Sequence, residues 1–439
     1  MSTLTISLLS IACILVLIGL RFPIGIAMGA VAFIGLAMLR NVNVALSVVR
    51  DAPFAFAASW DLSAIPMFLL MGAIAGNAGI GSGLFRAAVA WFGWMPGGLA
   101  VATNWACAGF GAASGSSIAA AAVMARLAIP EMLKRNYDKG LATGVCASGG
   151  TLDALIPPSI IFVIYGIFAE VSVAKLLLAG ILPGILTAVI YMLMIVIRAW
   201  MNPKLAPPVE FDDKEALWRE RWASAREIWP IMVLILGVIG GLYSGWVTPT
   251  EGGAAGAVLA IAIGLFQRQL SWAGFVASFK DAVGTTASLF FVGIGAIIYT
   301  KFLALAGTAD MFTQIVGEWA VNPLLLVIAV SGIYLVLGMF LDPLGMILLT
   351  IPVFVPMFTA LKLDLVWFGV LVVKYIGIGL LTPPVGFNVY VVKNAVGASI
   401  PLETIFRGCF WFLGCEVIIM TLLIAYPEIS LWLPNNAFR

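Results

Sequence analysis

The chain has 439 residues, of which 62% are hydrophobic and only 10% charged, with a net charge of +2 and no histidine. A soluble globular domain carries about a quarter charged residues, so this composition excludes a soluble fold and calls for a lipid bilayer around the outer apolar faces. The near-neutral balance gives no basis for a nucleic-acid partner, and the lack of histidine removes the usual proton switch near neutral pH.

The first apolar runs cover 4–20 and 24–39. No positive charge precedes the first and no A-x-A site follows it, so 4–20 reads as a permanent span rather than a signal peptide. Further spans are expected near 62–80, 139–168, 176–200, 231–246, 251–267, 286–306, 365–394 and 402–426, several of them close to the roughly 20 residues that a bilayer requires. The stretches 97–133 and 323–361 each hold two apolar arms, short and interrupted by Gly or Pro. They are expected to be re-entrant hairpins, tolerated at depth where protein or a polar cavity satisfies the turn. The fold predicted is all-α and integral to the membrane, with about ten spans plus two hairpins. Cys13, Cys107, Cys146, Cys409 and Cys415 lie in apolar segments without metal-ligand spacing and read as small core residues.

Ten spans place both termini on one side. Arg21, Arg86, Lys134, Arg135, Lys139, Lys204, Lys214, Arg219, Arg221, Arg226, Arg268, Lys280 and Lys393 fall in one set of loops; Arg40, Arg50, Lys175, Lys362 and Arg439 fall in the other. The richer set is expected to be cytoplasmic, which puts both termini outside and makes 202–227 a cytoplasmic linker between two halves. Those halves look like copies. At a constant offset of 226 positions, Pro130 meets Pro356, Pro157-Pro158 meets Pro383-Pro384, Asp138 meets Asp364, Ser116 meets Asp342 and Pro23 meets Pro249. Five spans per half invert the second copy, the arrangement in which many secondary transporters build a site from discontinuous helices.

The first hairpin turn is Gly111-Ala112-Ala113-Ser114-Gly115-Ser116-Ser117, and the span after it is interrupted at Gly149-Gly150-Thr151 and at Pro157-Pro158-Ser159. The second turn is Gly338-Met339-Phe340-Leu341-Asp342-Pro343, and its partner break runs from Gly377 and Gly379 through Thr382-Pro383-Pro384 to Gly386 and Asn388. Proline lacks an N–H, so such breaks free carbonyl oxygens in mid-membrane. Hydroxyls, carbonyls and one carboxylate form an all-oxygen set suited to a hard cation such as sodium. The expected ion ligands are Ser114, Ser116, Ser117, Gly149, Thr151, Asp342, Gly377, Gly379 and Thr382. The positive ends of broken helices suit an anionic substrate, so Gly150, Pro157, Pro158, Ser159, Pro383, Pro384 and Asn388 are assigned to the substrate. Helix packing accounts for Gly72, Gly76, Gly293 and the alanines at 119–122.

Thr248-Pro249-Thr250-Glu251 makes a capping box, so Glu251 is expected to cap a helix, and Asp61 sits at another helix start. Arg126 is within reach of the cytoplasmic surface. Lys301, Lys374 and Glu416 are expected either to snorkel or to meet a polar partner subunit, with a transport role left open. Asp153 is an additional candidate for ion or structural contact.

The chain resembles the large membrane subunit of tripartite ATP-independent periplasmic (TRAP) transporters. The motifs that carry the resemblance are Ala64-Ile65-Pro66-Met67-Phe68, Gly97-Gly98-Leu99-Ala100, Ser114-Gly115-Ser116-Ser117, Ile129-Pro130-Glu131-Met132 and Leu155-Ile156-Pro157-Pro158-Ser159. They continue with Val163-Ile164-Tyr165-Gly166, Ala179-Gly180-Ile181-Leu182-Pro183-Gly184, the capping box, Asp364 with Trp367 and Gly369, and Leu381-Thr382-Pro383-Pro384-Val385-Gly386. Asn136 and Asp153 stand where the resemblance leads one to expect glycine.

The resemblance implies an elevator-type fold of the ion-transporter superfamily. Scaffold parts at 1–96 and 229–322 would hold moving parts at 97–200 and 323–427, with a linker at 201–228 and a tail at 428–439. It also implies a small four-span membrane subunit, a soluble periplasmic solute-binding protein and an organic-anion substrate carried inward with sodium across a bacterial inner membrane. A stand-alone sodium–dicarboxylate symporter of the same superfamily is the alternative. No nucleophile–base pair or metal-ligand cluster points to an enzyme, and no cofactor other than the coupling ion is expected.

Overall fold

The computed structural model describes residues 3–79, 82–207, 214–308, 311, 314 and 322–437. Among the described residues twenty α-helices form and no strand. The first half comprises α1 (Thr3–Gly19), α2 (Ile24–Leu39), α3 (Val42–Ala57), a 3-10 turn (Trp60–Ser63), α4 (Ala64–Asn77) and α5 (Ser82–Phe92). It continues with α6 (Gly98–Ser114), α7 (Ser117–Lys134), α8 (Lys139–Gly149), a second 3-10 turn (Gly150–Ala154), α9 (Ile160–Phe168) and α10 (Val173–Met201). After α11 (Lys214–Glu227) come α12 (Trp229–Tyr243), α13 (Pro249–Phe266), α14 (Trp272–Leu305), α15 (Pro323–Gly338) and α16 (Pro343–Ala360). The chain then forms α17 (Leu365–Gly379), α18 (Phe387–Val396), α19 (Leu402–Ala425) and α20 (Glu428–Ala437).

The repeat is visible element by element. At the same offset α1 falls on α12, α2 on α13, α6 on α15, α7 on α16, α8 on α17, α9 on α18 and α10 on α19. The caps correspond too. Ser116 and Asp342 accept first-turn amides at the starts of α7 and α16, and Asp138 and Asp364 do so for α8 and α17. Not every pair of elements matches. α14 is continuous over 34 residues, whereas its counterpart is split where Ser59 turns extended (ψ 126°), and the two parts meet at 53°.

The core is built around the interrupted helices. α8 and α17 bury every residue from Gly140 to Gly149 and from Val366 to Gly379, and α6 buries nearly all of its own. A helix that is apolar all round belongs inside, and these three are enclosed by their neighbours. α8 crosses α19 so closely that a Cβ at Gly408 would lie 2.0 Å from the Gly140 carbonyl oxygen, a contact only glycine permits.

Among the described residues five single helices, α10, α13, α14, α16 and α19, are long and apolar enough by themselves to cross a membrane, and up to seven crossings result when bent pairs are joined. α1 and α2, both expected to be spans, are apolar helices of 17 and 16 residues. The structure adds α3, whose Arg50, Asp51 and Pro53 disguise it as a loop in a hydropathy profile.

The linker is partly helical. Arg86 and Glu227 pair at 2.7 Å, and Arg221 Nε donates to the Ala90 carbonyl, which seats α11 on α5. Residues 208–213 of the linker and Arg439 lie outside the described residues. The C-terminal stretch is also a helix, α20, with Ser430 and Pro434 buried and α10 as its neighbour.

Candidate functional site

Each hairpin turn meets an interrupted helix. In the first half α6 ends at Ser114, Gly115 takes a left-handed conformation (φ 61°), and Ser116 caps α7 through Ala119 N–H at 3.4 Å. A Cβ on Gly115 would come 3.1 Å from the Pro158 carbonyl oxygen, so this turn is seated on the first break. That break contains Gly149, Gly150 and Thr151 and continues through Pro157 and Pro158 to Ser159, which caps α9 and donates to the Ala154 carbonyl at 2.6 Å. Thr151 Oγ1 donates to the Ser148 carbonyl at 2.7 Å.

In the second half α17 ends at Gly379 and α18 begins at Phe387. A Cβ at Gly379 would lie 2.7 Å from both the Cα and the carbonyl oxygen of Gly338, so the end of α15 presses directly on the break. Thr382 Oγ1 donates to the Ile378 carbonyl at 2.7 Å, and the Gly379 carbonyl accepts from Thr382 N–H at 3.2 Å. Pro383 is half-buried and Pro384 exposed; both Pro-Pro bonds, 157–158 and 383–384, are cis.

The two breaks touch each other. Thr151 Cβ lies 3.3 Å from where a Cβ on Gly377 would stand. Asn388, at the start of α18, reaches into the first half: its Nδ2 donates to the Ala147 carbonyl at 3.1 Å and sits the same distance from a Cβ built on Gly150. Ser117, Gly150 and Asn388 therefore meet, and Thr151 meets Gly377, whereas the Ser114 carbonyl packs toward Gly72 and Gly149 toward Cys107. Asp342 is a half-buried cap beside α2, its neighbour Gly345 packed on Ile24. Asp342 Oδ2 accepts from Leu344 N–H at 3.1 Å and Gly345 N–H at 3.4 Å, which leaves Oδ1 for another partner.

The capping box forms: Glu251 Oε2 accepts from Thr248 N–H at 2.8 Å and Thr248 Oγ1 accepts from Glu251 N–H at 3.3 Å. Arg126 and Asp61 are exposed. Lys301 is exposed within electrostatic reach of Asp51.

Lys374 and Glu416 neither snorkel nor wait for a partner subunit. They pair at 2.5 Å with each side chain 4% exposed. Lys374 Nζ also donates to Thr187 Oγ1 at 3.3 Å, and Tyr191 donates its hydroxyl proton to Glu416. This cluster ties α17, one turn before its break, to α10 and α19. A single lysine and a single glutamate inside otherwise uncharged runs were the available signal.

With that geometry in hand, a family model described as "Tripartite ATP-independent periplasmic transporter, DctM component" matches residues 11–429. The chain belongs to the DctM family of TRAP transporters. Among similar DctM-family proteins, the C4-dicarboxylate TRAP transporter large permease protein of Pseudomonas aeruginosa is 34% identical over 86% of both chains. The sialic acid large permease of Vibrio cholerae is 30% identical over 95% of this chain and 96% of its own. The ectoine large permease of Halomonas elongata is 30% identical over 98% and 99%. In fold, the chain is similar to Neisseria gonorrhoeae MtrF (TM-score 0.59, 14% identity, 90% of this chain and 85% of that one) and Alcanivorax borkumensis YdaH (0.57, 13%, 90% of each). The chain is a multi-pass membrane permease subunit of the DctM family, as the relatives' names and its helical architecture agree.

Proposed function

We propose that this chain imports a small organic anion, a carboxylate or sugar acid, together with sodium by an elevator movement, receiving it from a soluble periplasmic binding protein and working with a small four-span membrane subunit. The observation that carries the reading is the pairing of turn and break at repeat-equivalent positions, with the two breaks in contact at Thr151 and Gly377. Packing alone does not require such breaks twice at one offset, whereas a solute site at a repeat interface does. Relatives are named for C4-dicarboxylates, isethionate, sialic acid and ectoine, which supports a small organic solute without choosing among them.

In this reading residues 97–200 and 323–427 move as one body against a scaffold at 1–96 and 229–322. A cleft of about 510 Å³ supports that division. It separates Phe56 and Ile297 on the scaffold side from Ile351, Pro352 and Pro356 of the second hairpin. Sodium would be held by Ser114, Ser116, Ser117, Gly149 and Thr151 at one break and by Asp342, Gly377, Gly379 and Thr382 at the other. The carboxylate would lie against Gly150, Pro157, Pro158, Ser159, Pro383, Pro384 and Asn388, near the amide-bearing starts of α9 and α18. The termini would face the periplasm.

Proteoliposomes test this reading. The chain with its small subunit and binding protein is expected to accumulate solute only under an inward sodium gradient, and the chain alone to show little uptake. Full uptake by the isolated chain would instead establish a stand-alone symporter.

A further inference from the structure

α10 and α19 leave a groove of about 820 Å³ between them. Leu193, Ile197 and Met201 of α10 line it with Trp411, Gly414 and Ile418 of α19, and all six are exposed. Gly414 gives the groove depth, since a Cβ built there meets nothing within 4 Å. Asn202 and Leu205, just beyond the end of α10, close one end.

Arg198, in the last turn of α10, lines the groove as well. Its guanidinium carbon lies 4.2 Å from the centre of the Trp411 ring, so the two side chains bridge the groove. Among the described residues no carboxylate pairs with Arg198, and its Nη1 is buried without a hydrogen-bond partner. A buried donor of this kind calls for a missing acceptor. Asp138 is within electrostatic reach, but its Oδ1 serves the Leu141 amide as the cap of α8. Asp138 N–H donates to the Leu205 carbonyl at 2.8 Å, which sets the exposed Lys139 and Lys204 beside the same end. Glu403 and Arg407, one turn before Trp411, pair at 2.6 Å and neutralise each other, so this end of the groove is positive.

α10 has 29 residues, more than the roughly 20 that cross the hydrocarbon, so its last turn reaches the headgroup layer. In a bilayer an exposed apolar groove takes up an acyl chain, and selection among lipids falls to the guanidinium. Its planar fork matches a phosphate with paired N–H donors. A place in the last turn also suits the helix dipole, but that leaves Nη1 unserved.

We propose that this groove binds one anionic phospholipid, its phosphate on Arg198 and one acyl chain lying over Gly414. Basic pockets between membrane helices hold such headgroups on the cytoplasmic side, and Lys139 and Lys204 belong to the more basic set of loops. Cys415 of the groove adjoins Glu416 of the buried ion pair, so a bound lipid braces α10 against α19 over that cluster. The site shares no residue with those proposed for sodium and solute.

The test is thermal unfolding of the purified full chain in dodecyl maltoside, titrated with dioleoyl phosphatidylglycerol, dioleoyl phosphatidylcholine or inorganic phosphate. Phosphatidylglycerol is expected to give a saturable rise in Tm, phosphatidylcholine a weaker one and inorganic phosphate none. Arg198→Gln should raise the half-saturating phosphatidylglycerol concentration about fivefold, that is, ~1 kcal/mol. Gly414→Leu, which fills the groove and leaves Arg198 in place, should raise it too, and it carries the test if Arg198→Gln does not fold. An equal response to phosphatidylcholine or to inorganic phosphate overturns the proposal, as does unchanged half-saturation in either folded variant. Loss of the lipid response on adding the small membrane subunit overturns it as well and gives the groove to that subunit.

Discussion

Lys374 of α17 and Glu416 of α19 form an ion pair at 2.5 Å inside the protein, each side chain 4% exposed. They stand 42 positions apart in the chain and are joined with Thr187 and Tyr191 of α10 into one cluster. The pair sits one turn before the break at Gly377, so it ties the end of α17 to α10 and α19.

Removing one partner should therefore be worse than removing both. Lys374→Met strands a buried glutamate, and such a loss costs about 3–5 kcal/mol. The double variant Lys374→Met with Glu416→Leu is expected to recover most of that, because two apolar side chains replace two desolvated charges. Thermal unfolding of the purified variants checks this. Equal destabilisation of the single and double variants would show that packing shape, not charge pairing, holds the cluster.

At Asp342 capping and ion binding can be separated. Asn is itself a good cap, so Asp342→Asn should keep the start of α16 while losing the charge; Asp342→Ala should cost a further ~1 kcal/mol in stability. If Asp342 is an ion ligand, uptake by the Asn variant will need more sodium for half-activation. Ser116→Ala, at the repeat-equivalent position, should raise that requirement less. Initial uptake rates against sodium concentration decide it: an unchanged requirement in Asp342→Asn leaves the residue a cap only.

Gly379 allows α15 to press on the second break. A methyl group there would stand 2.7 Å from Gly338 backbone atoms, and overpacking of this kind costs about 1–3 kcal/mol. Gly379→Ala should lower Tm and reduce uptake together. A variant of normal stability and normal uptake would mean that α15 can withdraw from the break without consequence.

The inverted repeat makes a side-specific claim. Single cysteines at Glu131, at the foot of the first hairpin, and at Leu361, at the foot of the second, are expected to react from the cytoplasmic and external sides respectively. The labelling should be done with the exposed Cys13 replaced. Reaction of both positions from the same side would falsify the inversion.

The sequence by itself determined whatever depends on composition and local pattern. Few charges and long apolar runs require a bilayer, and the prolines and caps at one constant offset reveal the repeat because a cap is set within a single turn of helix. The turn-plus-break pairs were legible for the same reason: Gly and Pro act on the backbone where they stand. Only the tertiary structure decided which buried groups meet. Nothing local says that Lys374 finds Glu416, that Asn388 reaches Ala147, or that Asp153 bonds Ser117. α3 and α11 were hidden because their charges resemble those of loops, and packing against neighbours overrides that signal. The contact of Thr151 with Gly377 joins two halves of the chain, and its position depends on how every helix between them packs.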